Sequence, residues 1–174
     1  DGAYTEFATA QDYCDGHDLV AANQNVVVLR TFSKIFGLAS LRVGWGYAPK
    51  HICEVIERVR GPFNVSAAAQ VAAVAALEDE EHYKASQNLV LEVLPWFRKS
   101  VQALGLEVPP SLGNFVMVKF GADKIAAAET HLKSEGIIGR RIDAYGLGDF
   151  MRISIGTKDQ MQRVVDAIEG FLKS

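Results

Sequence analysis

A run of β-branched and aliphatic residues, Asn25–Arg30 (NVVVLR), delivers the chain directly into a lysine-bearing turn, Thr31–Lys34. The run has no helical period and polar residues bound it, the pattern of a strand buried on both faces. Gly37, Gly44 and Gly46 keep the next segment compact and irregular, and Val43–Ala48 reads as another short strand. Pro49 then opens a helix in which Ile52, Val55, Ile56 and Val59 recur at helical spacing. The loop Arg60–Asn64 (RGPFN) stops it.

Ala67–Leu77 is a strong helix former, and a second helical pattern runs from about Glu80 to Leu104, with Pro95 expected to kink or split it. Leu106–Val108 and Asn114–Phe120 (NFVMVKF) read as strands. Asp123–Ser134 is an amphipathic helix closed by Gly136. Ile137–Ile142 and Met151–Ile155 read as two more strands, joined by the glycine-rich Ala144–Asp149. Thr157 with Gln160 fits a capping box for a last helix that turns Val164, Val165, Ile168 and Leu172 inward. This alternation assigns the α/β class. The front part, residues 1–78, is expected to hold a mainly parallel sheet, and residues 79–174 a small α/β domain.

Composition agrees with a packed globular chain and excludes several classes. At 174 residues and 19.0 kDa, roughly 70% of the unfolded surface can be buried. With 49% hydrophobic and 22% charged residues, the chain is neither disordered nor a disulfide mini-protein. A net charge of −3 without blocks of like charge gives no footprint for nucleic acid or an anionic membrane. Two cysteines, Cys14 and Cys53, are too few for a zinc site and suit a reduced, cytoplasmic chain. The histidines at 17, 51, 82 and 131 have no metal spacing and are expected at the surface. No stretch is long and apolar enough to span a bilayer, and no export signal opens the sequence. The first residue is Asp1 rather than methionine, which points to processing or to a chain that begins inside a larger protein.

The chemistry gathers in Arg30–Arg42 (RTFSKIFGLASLR). A lysine at the mouth of a buried strand is unusual, because a drying environment lowers its pKa and makes the amine a nucleophile for carbonyls. Thr31, Ser33 and Ser40, with Arg42, offer donors suited to a phosphate dianion. A lysine able to form a Schiff base beside a phosphate cradle is what pyridoxal phosphate requires. Asp1 adds an acid able to keep a pyridine nitrogen protonated, and Tyr4 a hydroxyl for the ring's phenolic oxygen. On spacing alone the residues favour Lys34 as a surface lysine, with Thr31 and Ser33 turn residues, Asp1 and Tyr4 a plain turn, and Arg42 open to being an ion-pair partner.

The segment 31–49, TFSKIFGLASLRVGWGYAP, resembles almost residue by residue the lysine motif of fold-type I, class II aminotransferases. DGAY (1–4) is similar to that family's D-E-A-Y, RGPFNVS (60–66) to its R-x-P-F-N, and GIIGRRIDAYGLGDFMRISIGT (136–157) to its C-terminal arginine motif. Four motifs in register cover essentially the whole chain, and they resemble the histidinol-phosphate branch most. The resemblance implies the C-terminal part of the large cofactor-binding domain followed by the small C-terminal α/β domain. It implies pyridoxal 5′-phosphate as cofactor, with Lys34 as the Schiff-base lysine and later the proton shuttle. Asp1 would pair with the pyridinium, Tyr4 with the phenolic oxygen, and Thr31, Ser33 and Arg42 with the cofactor phosphate.

Arg152 would take the carboxylate of glutamate or 2-oxoglutarate, and Arg140 with Arg152 the phosphate of histidinol phosphate, Arg141 leaving that register ambiguous by one. Asn64 and Asn114 fall in family motifs as structural residues. The implied activity is transamination between glutamate and imidazole-acetol phosphate in histidine biosynthesis, by a cytoplasmic homodimer. The alternatives are an aromatic amino-acid aminotransferase, a phosphothreonine-type decarboxylase on the same fold, and an inactive remnant kept as a folded or dimerising module. Gly2 stands where the family usually has Glu. The chain also starts where the family is about half complete, so this length alone is expected to lack a full site.

Overall fold

Helices and strands alternate through the computed structural model, which describes residues 1–173. They divide into two compact units, Asp1–Gln87 and the residues from Asn88 on.

In the first unit the chain begins as a turn tied down by Gly2, whose N–H donates to Leu29 O at 2.8 Å. It closes in a short 3-10 helix, Thr5–Phe7, with Phe7 buried. Helix α1 (His17–Ala22) leads to strand β1 (Val28–Thr31), and β2 (Gly44–Tyr47) returns against it. The two pair antiparallel, Val28 opposite Tyr47 and Arg30 opposite Trp45. The mainly parallel sheet expected from the sequence is therefore corrected among the described residues. A parallel pair needs a crossover that carries the chain back to the starting end of the first strand. Here residues 32–43 hand the chain over at the same end, with Phe32 N–H on Val43 O at 3.2 Å. Gly44 permits the approach, since a Cβ there would stand 2.5 Å from Arg30 O.

Nor is β1 buried on both faces, for Val28 is 6% exposed but Leu29 52%. The unit supplies packing for the Val28 face alone. Helix α2 (Lys50–Val59) starts after Pro49 as its sequence predicts, yet none of its residues is buried, and Val55, Ile56 and Val59 lie at the surface. Helix α3 (Ala67–Glu78) is capped by Ser66, whose hydroxyl accepts from Ala69 N at 3.1 Å. It buries only the small Ala69 and Ala73.

Helix α4 (Glu80–Ala103) stays one element across Pro95 and contributes Val93, Phe97 and Val101, four residues apart, to the core of the second unit. That unit is a three-stranded antiparallel sheet, β3 (Phe115–Lys119), β4 (Arg140–Ile142) and β5 (Leu147–Ser154), with β5 in the middle. Val116 and Val118 alternate inward on β3, and Met151 and Ile153 do so on β5. Helices α5 (Ile125–Ser134) and α6 (Lys158–Lys173) close the core with Leu132, Met161 and Ile168.

The capping box forms as predicted, Thr157 N donating to Gln160 Oε1 at 2.9 Å and Gln160 N to Thr157 Oγ1 at 3.4 Å. Four expectations shift. Leu106–Val108 contributes only a bridge from Glu107 to Lys119, and β4 is shorter than Ile137–Ile142, with its register broken between Arg141 and Ile142. The glycine-rich link becomes a 3-10 turn, Asp143–Tyr145, after which β5 already begins at Leu147. Leu172, expected inward, is 36% exposed, and Phe171 packs on the core instead.

Phe97 is wholly buried in this cluster, so Phe97→Ala should cost about 3–5 kcal/mol of stability in denaturant unfolding. Leu77→Ala, at a side chain 61% exposed, should move the midpoint by less than about 0.5 kcal/mol. Comparable losses at both positions would refute this placement of the core.

Candidate functional site

The lysine turn is built by its neighbours. Thr31 ends β1 and its Oγ1 accepts from Ser33 N at 3.0 Å, a side-chain contact that replaces the next ladder bond and turns the chain. Phe32 and Ile35 are buried to 5% and 2% exposure, so Ser33 and Lys34 between them are forced outward. Gly37 N donates to Lys34 O at 2.9 Å and Gly37 takes φ +71°, closing the turn with a left-handed residue that favours glycine. The Lys34 side chain is half-buried, with Nζ 5.1 Å from the centre of the Tyr4 ring. Tyr4 belongs to the turn that Gly2 ties to β1, and Asp1 Oδ1 accepts from Ala3 N at 3.0 Å in the same turn.

Arg42 is held locally. It is exposed, has φ +54°, and its Nη1 donates to Ala39 O at 2.6 Å. A left-handed arginine is uncommon, and such backbone is found where a site is being shaped. The structure thus brings Lys34 to Tyr4 and Ser33 to Thr31, while Asp1 and Arg42 keep local partners of their own.

Three further groups hold this region and were not singled out by sequence reasoning. His82, expected simply at the surface, is exposed but has Nε2 3.1 Å from Ile35 O. Phe36 lies between Phe32 and Tyr83, at ring-centre distances of 5.0 and 5.8 Å. Arg30 is buried beside Glu6 and Asp15. Burial pushes the Glu6 carboxyl above the ordinary carboxylate range, and its backbone hydrogen bond and Arg30 only partly oppose this. The sequence carries one usable signal for Arg30: an arginine inside an apolar strand has to find acids somewhere. Those acids lie 15 and 24 residues upstream, outside any local pattern.

In the second unit Arg140 and Arg152 are directly opposite across β4 and β5. Both line one cleft of about 230 Å³, together with Ser154, Gly156 and Gln160. Arg141 points to a different partner, its Nε 3.1 Å and Nη2 2.5 Å from the Asp143 carboxylate, which holds that carboxyl below its usual range. Of the two neighbouring arginines, it is Arg140 that lines the cleft with Arg152. The Arg152 guanidinium stands 4.5 Å from the Phe115 ring centre, a cation–π contact that steadies it. Neither Arg140 nor Arg152 pairs with a carboxylate among the described residues. Like charges directly opposite in an antiparallel pair repel, and an anion bound between them removes the penalty.

Among the described residues no His, Cys, Asp or Glu cluster is arranged to hold a metal, both cysteines are free and exposed, and no helix is long and apolar enough to cross a membrane. Asn114 serves the backbone, its carbonyl accepting from Ile155 N at 2.9 Å, and Asn64 Oδ1 accepts from Arg60 Nη1 at 3.1 Å.

Comparison with known proteins gives a consistent result. The chain is 49% identical over 175 residues to histidinol-phosphate aminotransferase of Rhodospirillum centenum, covering 99% of this chain and 48% of that protein. It is 47% identical to histidinol-phosphate aminotransferase 1 of Caulobacter vibrioides, over 99% of this chain and 49% of that one. Among solved structures, the histidinol-phosphate aminotransferase of Sinorhizobium meliloti in complex with pyridoxal-5′-phosphate superposes with a TM-score of 0.87 at 28% identity. That match covers 98% of this chain and 47% of the other. The chain therefore spans about half the length of the curated relatives it matches. The family model described as aminotransferase class I and II matches residues 1–168, and the chain belongs to that family.

Proposed function

We propose that this chain is part of a pyridoxal-phosphate aminotransferase that moves an amino group between glutamate and imidazole-acetol phosphate, in histidine biosynthesis. The observation that carries the substrate end is the Arg140–Arg152 couple in one cleft, without a carboxylate partner among the described residues. A phosphate monoester offers nearly two charges and three acceptor oxygens, which two guanidiniums match better than one. An aromatic amino acid offers one carboxylate, for which Arg152 alone suffices. The relatives' names support the same branch.

The first unit has a donor set that fits the cofactor. Thr31 Oγ1 uses a lone pair on Ser33 N, so its O–H is left to donate to a phosphate oxygen, as is the Ser33 hydroxyl. Arg42 commits one guanidinium nitrogen to Ala39 O and retains the rest of its donors for the same phosphate. Asp1 has its second carboxylate oxygen for a ring nitrogen, and the Tyr4 hydroxyl would meet a phenolic oxygen. Bound pyridoxal phosphate supplies a conjugated electron sink for the pair left when a substrate Cα–H bond breaks. Lys34 Nζ would hold the cofactor covalently and, once displaced from it by the substrate's amino group, the freed amine would take the proton from Cα as a base and give it back as an acid on the way to amino transfer. A half-buried amine raised from a turn between two buried residues suits both tasks, because it reaches its target without becoming fully hydrated. Arg152 orients the glutamate carboxylate, and Arg140 joins it for the phosphorylated substrate. The relatives are about twice as long as this chain, and we propose that the remaining residues and a second subunit complete the site of a cytoplasmic homodimer.

Borohydride reduction of the cofactor-loaded protein followed by peptide mapping should place the pyridoxyl group on Lys34. Label on Lys50, an exposed lysine paired with Glu54 at 3.7 Å, would end this assignment. An inactive remnant would take up no label at all. For substrate choice, each charged hydrogen bond lost from a desolvated site costs roughly 1.5–3 kcal/mol, or about ten- to a hundredfold. Arg140→Ala in the full-length enzyme should lower kcat/KM for histidinol phosphate by about that factor and affect glutamate much less, while Arg152→Ala should damage both half-reactions. If Arg140→Ala left histidinol phosphate untouched and phenylalanine were already the better substrate, the aromatic aminotransferase reading would replace this one.

A further inference from the structure

Arg30 does more than fill a strand position. Its side chain is 7% exposed, with Nη1 3.8 Å from Glu6 Oε1 and Nη2 3.5 Å from Asp15 Oδ2. The guanidinium lies 5.9 Å from the Trp45 ring centre, and Nε is the one buried side-chain nitrogen or oxygen without a hydrogen-bond partner among the described residues. Such an orphan donor is costly, so the position of this cation is being held for a reason other than its own stability. Across from Nε lies Gly2, where an added Cβ would come within 3.0 Å of Arg30 Cδ and Nε. The arginine stem therefore crosses the bare face of Gly2 directly beside the Gly2 N–H to Leu29 O bond. Through one side chain, β1 is joined to the Asp1–Phe7 segment, to Asp15 ahead of α1 and to β2.

We propose that Arg30 is a positioning residue: it clamps the Asp1–Phe7 segment onto β1 and so fixes Asp1 and Tyr4 relative to Lys34. This rests on the reading of Lys34 as the cofactor-bearing lysine. Arg30 acts on these groups at one remove. It acts through Glu6, two residues after Tyr4, and through Gly2, next to Asp1. The planar fork is what the task needs, because two carboxylates stand against different nitrogens of one guanidinium. A lysine ammonium, a single point, can serve one of them at a time.

The test compares Arg30→Met, which keeps the stem and loses the charge, with Arg30→Lys, each against the unaltered protein. Amide exchange, read without cofactor, should show Gly2 and Phe7 opening about tenfold faster in Arg30→Met, with Arg30→Lys between it and the unaltered protein. In the cofactor-loaded full-length protein the pH midpoint of the cofactor's visible absorption should move by about one unit, because Asp1 and Tyr4 no longer stand in fixed places. A merely structural arginine would lower Tm and leave that midpoint unmoved. Should Arg30→Met fail to fold, Glu6→Gln loosens the same link from the other side and should shift both readouts in the same direction by less. Unchanged exchange at Gly2 and Phe7 in a folded Arg30→Met, or in Glu6→Gln if that protein must stand in, overturns the proposal, as does a midpoint that stays put. If the unaltered protein takes no label on Lys34, it is the function proposed above that fails, and the cofactor-free exchange still decides the role of Arg30.

Discussion

Lys34 owes its position to what is buried on either side of it. Phe32 and Ile35 leave only 5% and 2% of their surface exposed, and together they remove from water roughly the apolar area worth a few kcal/mol. The turn between them has no other choice than to lift Ser33 and Lys34 outward. Thr31 ends the strand by giving Ser33 N a side-chain acceptor, and Gly37 supplies the left-handed residue that lets Lys34 O close the turn. Above it, the Phe32–Phe36–Tyr83 ring contacts and His82 on Ile35 O tie the turn to the start of α4. For the proposed cofactor-bearing role, the Lys34 amine has to be mobile at its tip and fixed at its root. This arrangement provides both, since rigidity resides in aromatic and aliphatic neighbours rather than in bonds to the amine itself.

The second unit applies a different constraint to its arginines. Placing β5 between β3 and β4 decides that Arg152 has Arg140 as its neighbour on one side and Met117 on the other. The core residues Met151 and Ile153 flank Arg152 and face inward, so period-two alternation sends Arg152 to the opposite side of the sheet. Phe115 then offers a ring face to the guanidinium without neutralising it. Charge is kept while orientation is restrained, which is the condition for recognising an anion that comes and goes.

Local patterns in the sequence made several of these features legible. The capping box at Thr157 and Gln160, the strand around Val116 and Val118, and the helix after Pro49 are each written within a few residues, and each forms. The pairing of β1 with β2 was not legible, because antiparallel or parallel pairing depends on where residues 32–43 carry the chain. Nor was the exposure of Leu29, Val55 and Ile56, since periodicity reports which residues share a face and not whether anything covers that face. Of the candidate site, Lys34 and its phosphate-type neighbours could be named from a motif. Arg30 and His82 could not, because their partners are 15 to 47 residues away and belong to no motif.

Stability and chemistry are unevenly shared between the two units. The second has a contiguous core in which Phe97, Val101, Val116, Val118 and Met151 are wholly buried. The first rests on a two-stranded sheet, which is marginal by itself in water, and leaves Val59, Phe63, Val71 and Leu77 each more than half exposed. These side chains are exposed one by one in a chain that spans about half the length of the curated relatives it matches. The lysine turn therefore draws on a few strong local contacts, Phe32, Ile35 and the Arg30 clamp, in a unit with little core to spare. Loosening any of them should be felt first at Lys34, because no deep core lies behind it to absorb the change.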